Sequence, residues 1–122
     1  MTARGVYSTA ATAPTLNVRL KWGATVLDTT GAATTSASIV NRQWTLTADI
    51  ICTSTAGNVE VAGTVTRSTS ATAAVIWELA NTVPIAVTVD SVQSIQVSVQ
   101  FGTANASNTI TLRQLVVEAI GP

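Results

Sequence analysis

The sequence contains no histidine and only one cysteine, and each shortage removes a class of function. Without histidine, the usual general base of a Ser–His or Cys–His nucleophile is missing. The single cysteine, Cys52, can form no internal disulfide, and it cannot build the Cys/His cluster that a structural zinc ion needs. The sequence therefore predicts neither a hydrolase of this kind nor a zinc protein.

Charge is scarce and balanced as well. Lys and Arg number 6, Asp and Glu number 6, and together they make up 10% of the 122 residues, against about 25% in ordinary soluble domains. There is no basic patch for nucleic acid, and the longest apolar run, about five residues, is far below the roughly 20 that a membrane helix needs. We therefore predict no nucleic-acid partner and no membrane partner. So sparse a charge also indicates that other protein chains cover part of the surface.

The six acidic residues form no recognisable site. No two of them lie within four residues of each other, whereas calcium loops place their acidic ligands close together in the sequence. Glycoside hydrolysis needs only two carboxylates, but Asp49 and Glu60 stand at polar positions of alternating segments, where a solvated charge is the common role. We predict that the protein is not an enzyme and has no catalytic residue, metal or cofactor.

Thr and Val make up about a third of the chain, and β-branched residues favour strands. Strict alternation of apolar and polar residues predicts a strand over 16–22, and Gly23-Ala24 is typical of a tight turn that returns the chain as a hairpin. The clearest strand is 44–53, where Trp44, Leu46, Ala48, Ile50 and Cys52 share one face. This alternation predicts that Cys52 is a small buried hydrophobe.

Further alternating segments follow, separated by Gly-, Ser- and Asn-rich turns. The last of them shifts its apolar register near Arg113-Gln114, which indicates a β-bulge. A turn is predicted over 81–84. The pattern predicts an all-β protein, an eight-stranded antiparallel jelly-roll sandwich with an extended N-terminal arm. Further predicted strands lie at 37–41, 59–66, 71–80, 85–89, 95–101 and 108–120.

The chain divides into an N-terminal arm, 1–14, and a jelly-roll domain, 15–122. The arm has little apolar periodicity, so we expect it to be ordered by a partner rather than by the domain. Its candidate contact residues are Arg4, Val6 and Tyr7, with Tyr7 packed and Arg4 beside a carboxylate of the partner.

Two regions are candidates for contacts between subunits. Trp22 and Trp44 continue the inward faces of their strands and are expected in the core, but Ile76 and Trp77 lie in a segment that is apolar on both faces. The run 91–112 contains no charge, and uncharged strands are poorly protected against edge pairing. Gln96 and Gln100 in this run complete the set of predicted interface residues.

Three segments resemble a β-domain that recurs in structural proteins of tailed bacteriophages: 16–29, 44–53 and, above all, the run FGTANASNTITL at 101–112. The resemblance covers about residues 16–120. It is to compact, Thr/Ala/Val-rich jelly rolls that occur as trimers, either as head decoration (cement) proteins or as terminal domains of fibres. This family has no catalytic motif.

The resemblance implies a homotrimeric virion protein on the outer surface of the capsid, which binds the major capsid protein and stabilises the head. The alternative is a receptor- or carbohydrate-binding tip domain of a fibre or tail. The cement function is favoured because the sequence has no fibrous repeat or coiled coil that could form a shaft.

Overall fold

The computed structural model describes residues 1–120, and this part of the chain contains β-strands and no helix. All strand pairs are antiparallel. The predicted all-β, antiparallel class is thus confirmed, whereas the count of eight strands is not. The nine strands are β1 (Thr2–Ser8), β2 (Thr15–Trp22), β3 (Thr25–Thr29), β4 (Ala33–Thr34), β5 (Arg42–Cys52), β6 (Asn58–Ser68), β7 (Ala74–Ala86), β8 (Ile95–Phe101) and β9 (Thr109–Val116).

The strands form two sheets. A five-stranded sheet has the order β7-β6-β5-β1-β9, so its outer strands are β7 and β9. In the second sheet β2 pairs with β8 along one side and with β3 and β4 along the other. Because β3 packs against β7 and β6, β8 lies toward the opposite side of the five-stranded sheet.

A single hydrophobic core fills the space between the sheets. Period-2 alternation places one face of each central strand inward, and on β5 this face is Trp44, Leu46 and Ala48, all buried as predicted. The core is made mainly of aliphatic side chains from both sheets: Ala3, Tyr7, Leu16, Val18, Leu20, Leu27, Ile39, Trp44, Leu46, Ala48, Val59, Val61, Val65, Leu79 and Val87.

The prediction of a separate arm over 1–14 is wrong for residues 2–8. These residues form β1, which lies between β5 and β9, and Ala3 and Tyr7 are 0% and 1% exposed. The Met1 ammonium donates a hydrogen bond to the Ala48 carbonyl, 2.7 Å away. Gly5 also faces inward, where a Cβ would collide with the Thr111 carbonyl. The inward residues of β1 are thus mostly small, and hydrophobic periodicity does not detect such a strand.

Two other boundaries also differ from the predictions. The strand predicted at 37–41 is absent, because Ser38 and Asn41 have positive φ angles of 54° and 48° that interrupt an extended chain. The predicted turn at 81–84 is part of β7, where the register with β6 shifts beyond Asn81. Pro84 is tolerated there because β7 is an edge strand and one side of its backbone needs no partner.

The predicted bulge on the last strand is confirmed. Arg4 pairs with Gln114 and Gly5 pairs with Leu112, so Arg113 is the extra residue of β9. The bulge keeps Leu112 and Leu115 on the core side, opposite Gly5 and Ala3, and places Gln114 on the outer face beside Arg4.

Candidate functional site

Within residues 1–120 there is no group of three His, Cys, Asp or Glu side chains that could hold a metal ion. The same residues include no helix long and apolar enough to cross a membrane. Two surfaces are candidate sites, and they lie on the five-stranded sheet and at its edges.

The first surface is a cleft of about 460 Å³ on the outer face of the five-stranded sheet. Three neighbouring strands form it, because Arg4 on β1 pairs with Thr45 on β5 and with Gln114 on β9. Arg113 lines the same cleft. Arg4 Nε donates a hydrogen bond to Gln114 Oε1, a neutral acceptor. We call this the arginine cleft; its lining residues are Arg4, Gly5, Val6, Gln43, Trp44, Thr45, Arg113 and Gln114.

The arginine cleft is cationic and provides hydrogen-bonding groups. Two guanidiniums and two side-chain amides line it, and none of its lining residues is acidic. Guanidinium groups bind carboxylates with two parallel hydrogen bonds. The cleft is therefore suited to binding a carboxylate.

The three arm residues predicted to contact a partner do not lie on the same face of the sheet. Arg4 and Val6 lie on the outer face of β1 and line the arginine cleft. Tyr7 points into the core, where its hydroxyl donates to the Ser68 carbonyl at 2.7 Å and accepts from Arg67 Nη1 at 3.3 Å. Tyr7 therefore holds β1 to β6 and is not available to a partner.

The four predicted interface residues lie on different sheets. Ile76 is 65% exposed on β7, whereas the neighbouring Trp77 is half-buried and contacts the core. Gln96 and Gln100 are exposed on β8, where Gln100 accepts a hydrogen bond from Arg19 Nη2 at 3.1 Å. Since β7 and β8 are on opposite sides of the sandwich, the four residues do not form one patch.

Arg67 is a buried residue that lies just beyond the strand predicted at 59–66, so the sequence pattern did not place it in the core. It lies on β6 and is 4% exposed. Its Nη2 donates to the Thr34 carbonyl at 3.0 Å, and its guanidinium carbon is 4.7 Å from the centre of the Trp77 ring. Arg67 Nε has no hydrogen-bond partner within the described residues. The side chain connects β1, β4 and β7, and its parity with Val65 on an alternating strand is the signal that could have indicated burial.

The edge strands of the five-stranded sheet form the second surface. Ile76 and Val83 on β7 are 65% and 73% exposed. On β9, Leu112 and Leu115 are 48% and 43% exposed although they face the core side. Ile120, beyond β9, is also exposed. These side chains leave apolar surface at both edges of the sheet.

The prediction of a buried Cys52 is wrong. Burial along β5 ends after Ala48: Ile50 is half-buried and Cys52 is exposed. Cys52 lines an open, mainly apolar cavity of about 510 Å³ at one end of the sandwich, together with Trp22, Ile50 and Ile95. The alternation continues to this point, but the inward side chains at this end of β5 face an open cavity.

Comparison with known proteins identifies no relative. The chain matches no family model, no curated protein and no solved structure at a significant level.

Proposed function

We propose that this chain is a structural protein of a virion, a homotrimeric decoration (cement) protein that binds the major capsid protein on the outer surface of a phage head and stabilises the head. The observation that carries the proposal is the apolar surface left on both edge strands of the five-stranded sheet. Soluble monomers usually cover or charge such edges, and this chain has only twelve charged residues to do so. The finer description as a jelly roll, which the sequence resemblance implies, stays a prediction.

The arginine cleft is the proposed attachment surface, in place of a flexible arm. It contains Arg4 and Val6, and β1 holds both of them on a rigid sheet. A rigid surface loses little conformational entropy on binding. A carboxylate of the capsid protein is the group that fits the Arg4 guanidinium best.

The alternative, a receptor- or carbohydrate-binding tip domain, would depend on exposed aromatic rings. Trp44 is 4% exposed, and the ring of Trp77 faces the Arg67 guanidinium. Trp22 is half-buried and its indole N–H donates to the Thr88 carbonyl at 2.9 Å. Because the tryptophans contribute to internal packing, the surface of the protein supports carbohydrate binding less well than it supports attachment to another protein.

Binding to phage heads that lack the decoration protein tests the proposal. We expect the purified chain to co-sediment with the heads and to raise the temperature at which they release DNA, and we expect Arg4→Glu to weaken binding at least ten-fold. Arg19→Glu is the matched control, because it makes the same charge change on β2, in the other sheet. Binding that is unaffected by Arg4→Glu would exclude the cleft. A labelled chain found only on tails would favour the alternative.

A further inference from the structure

We propose that β7 and β9, the two edges of the five-stranded sheet, are complementary halves of one interface through which copies of this chain join head to tail. The inference deepens the proposed self-association and does not depend on the capsid. The occupant of each edge is the opposite edge of a second copy.

The two edges expose the same kind of apolar side chain. The exposed side chains are aliphatic on both strands, with Val75, Ile76 and Val83 on β7 and Leu112, Leu115 and Val116 on β9. Neither strand is hydrogen-bonded to a second strand within the described part of the chain. Each edge therefore has both unpaired backbone groups and apolar surface to bury.

Charge complementarity selects the unlike edge as the partner. Glu78 is the only charged residue of β7, and Arg113 is the only charged residue of β9. Both are exposed. Glu78 pairs with Thr64, which pairs with the exposed Thr47 of β5, so Glu78 lies on the outer face. Arg113 lines the arginine cleft on that same face. Contact between β9 and β7 of another copy brings the two opposite charges to one side of the joint sheet.

The strand directions allow this contact to repeat. Five strands that are all antiparallel to their neighbours leave β7 and β9 running in the same direction. A rotation axis along the strands then sets β9 of one copy beside β7 of the next, as parallel neighbours. Such a heterologous contact uses one edge of each kind per copy, and it closes into a ring when the rotation from one copy to the next is a whole fraction of a full turn. Three copies would give the proposed trimer.

The neighbour's Glu78 would also supply the acid that the arginine cleft lacks. Arg113 stands at the bulge, on the rim of the cleft nearest the free edge. Arg4 lies one strand further in, where it is bonded to Gln114. The subunit contact thus engages Arg113 and leaves Arg4 for the capsid.

A charge exchange measured in solution tests the inference. Glu78→Arg and Arg113→Glu should each weaken association at least ten-fold in sedimentation velocity, whereas the chain carrying both changes should associate as the unchanged chain does. Mixing the two single variants should restore contact between unlike variants but not the closed trimer, because one variant then has two basic edges, the other has two acidic edges, and a ring of three copies cannot alternate between them. Asp49→Arg is the control, since Asp49 is exposed on the central strand β5.

Three outcomes would overturn the inference. The first is an unchanged chain that is monomeric at 100 µM. The second is association that responds to Arg113→Glu but not to Glu78→Arg, which would indicate contact between two β9 edges. The third is a double variant that keeps the circular dichroism spectrum of the folded chain but stays dissociated. Since no capsid is present, none of these results bears on attachment to the head.

Discussion

β5 and β9 belong to the same sheet and carry similar alternating patterns, but they bury very different amounts of apolar surface. The inward Leu46 of β5 is fully buried, whereas the core-side Leu112 and Leu115 of β9 remain about half exposed. Within residues 1–120, β5 has β6 on one side and β1 on the other, while β9 pairs only with β1. Alternation indicates that a strand has one apolar face, but the neighbouring strands and the opposite sheet determine whether that face is covered.

The difference between β5 and β9 also separates the stability of the domain from its assembly into oligomers. Side chains on β5 contact the core of the same copy, so their removal costs folding free energy. Side chains on β9 keep part of their apolar surface exposed, so much of their hydrophobic stabilisation is gained only when another chain covers them. Substitutions on β5 should therefore lower the free energy of unfolding, whereas substitutions on β9 should mainly weaken association between copies.

The largest expected effect comes from removing residues 1–8, which deletes β1 from the middle of the sheet. β9 would lose the one strand that it pairs with in the described part of the chain, and β5 would lose its partner on one side. We expect the truncated chain to show no cooperative unfolding transition in urea and no near-UV circular dichroism signal. A truncated chain that unfolds cooperatively would instead support the arm predicted from the sequence.

Replacing one leucine with alanine on each strand tests whether the two strands differ in burial. Leu46→Ala should lower the free energy of unfolding by about 2–5 kcal/mol, because it leaves a cavity in a close-packed core. Leu115→Ala should cost about 1 kcal/mol or less in the dissociated chain, since the side chain is 43% exposed. Urea denaturation at low protein concentration measures both values. Equal losses would mean that β9 is as well covered as β5.

Arg67→Lys should have an intermediate effect. Lysine keeps the charge but loses the planar group that stacks on Trp77, and it cannot reproduce the paired geometry toward Tyr7 and Thr34. We expect a loss of about 1–3 kcal/mol in the free energy of unfolding. Arg19→Lys on the polar face of β2 is the control and should change little. A similar stability for both variants would show that the buried guanidinium contributes no specific contact.

Local signals made several elements predictable. β8 spans 95–101 as its alternation predicts, and Gly23, with a φ of 56°, forms the predicted tight turn. The bulge at Arg113 follows from a shift in apolar register within one strand. These features depend on the residues of the segment itself, so the local sequence is sufficient to predict them.

The features that were missed depend on neighbouring elements. β1 has few apolar residues and becomes a strand because β5 and β9 supply hydrogen bonds on both sides. Arg4 and Val6 were predicted as contact residues, but their position on a rigid cleft depends on the register of three strands. Arg67 lies just beyond the strand predicted at 59–66, next to a Ser/Thr run, and a charged residue is rarely buried unless neighbouring elements supply its partners.

The smallest expected effect on stability is that of Cys52→Ser. Cys52 is exposed at the last position of β5, so the substitution removes little buried surface and should change the free energy of unfolding by less than about 0.5 kcal/mol. The thiol should also react with a water-soluble disulfide reagent in the folded protein, within a few-fold of its rate in urea. The reaction of the urea-unfolded chain is the reference. A thiol that reacts only after unfolding would place Cys52 in the core, and the burial seen at Ala48 would then extend to the end of β5.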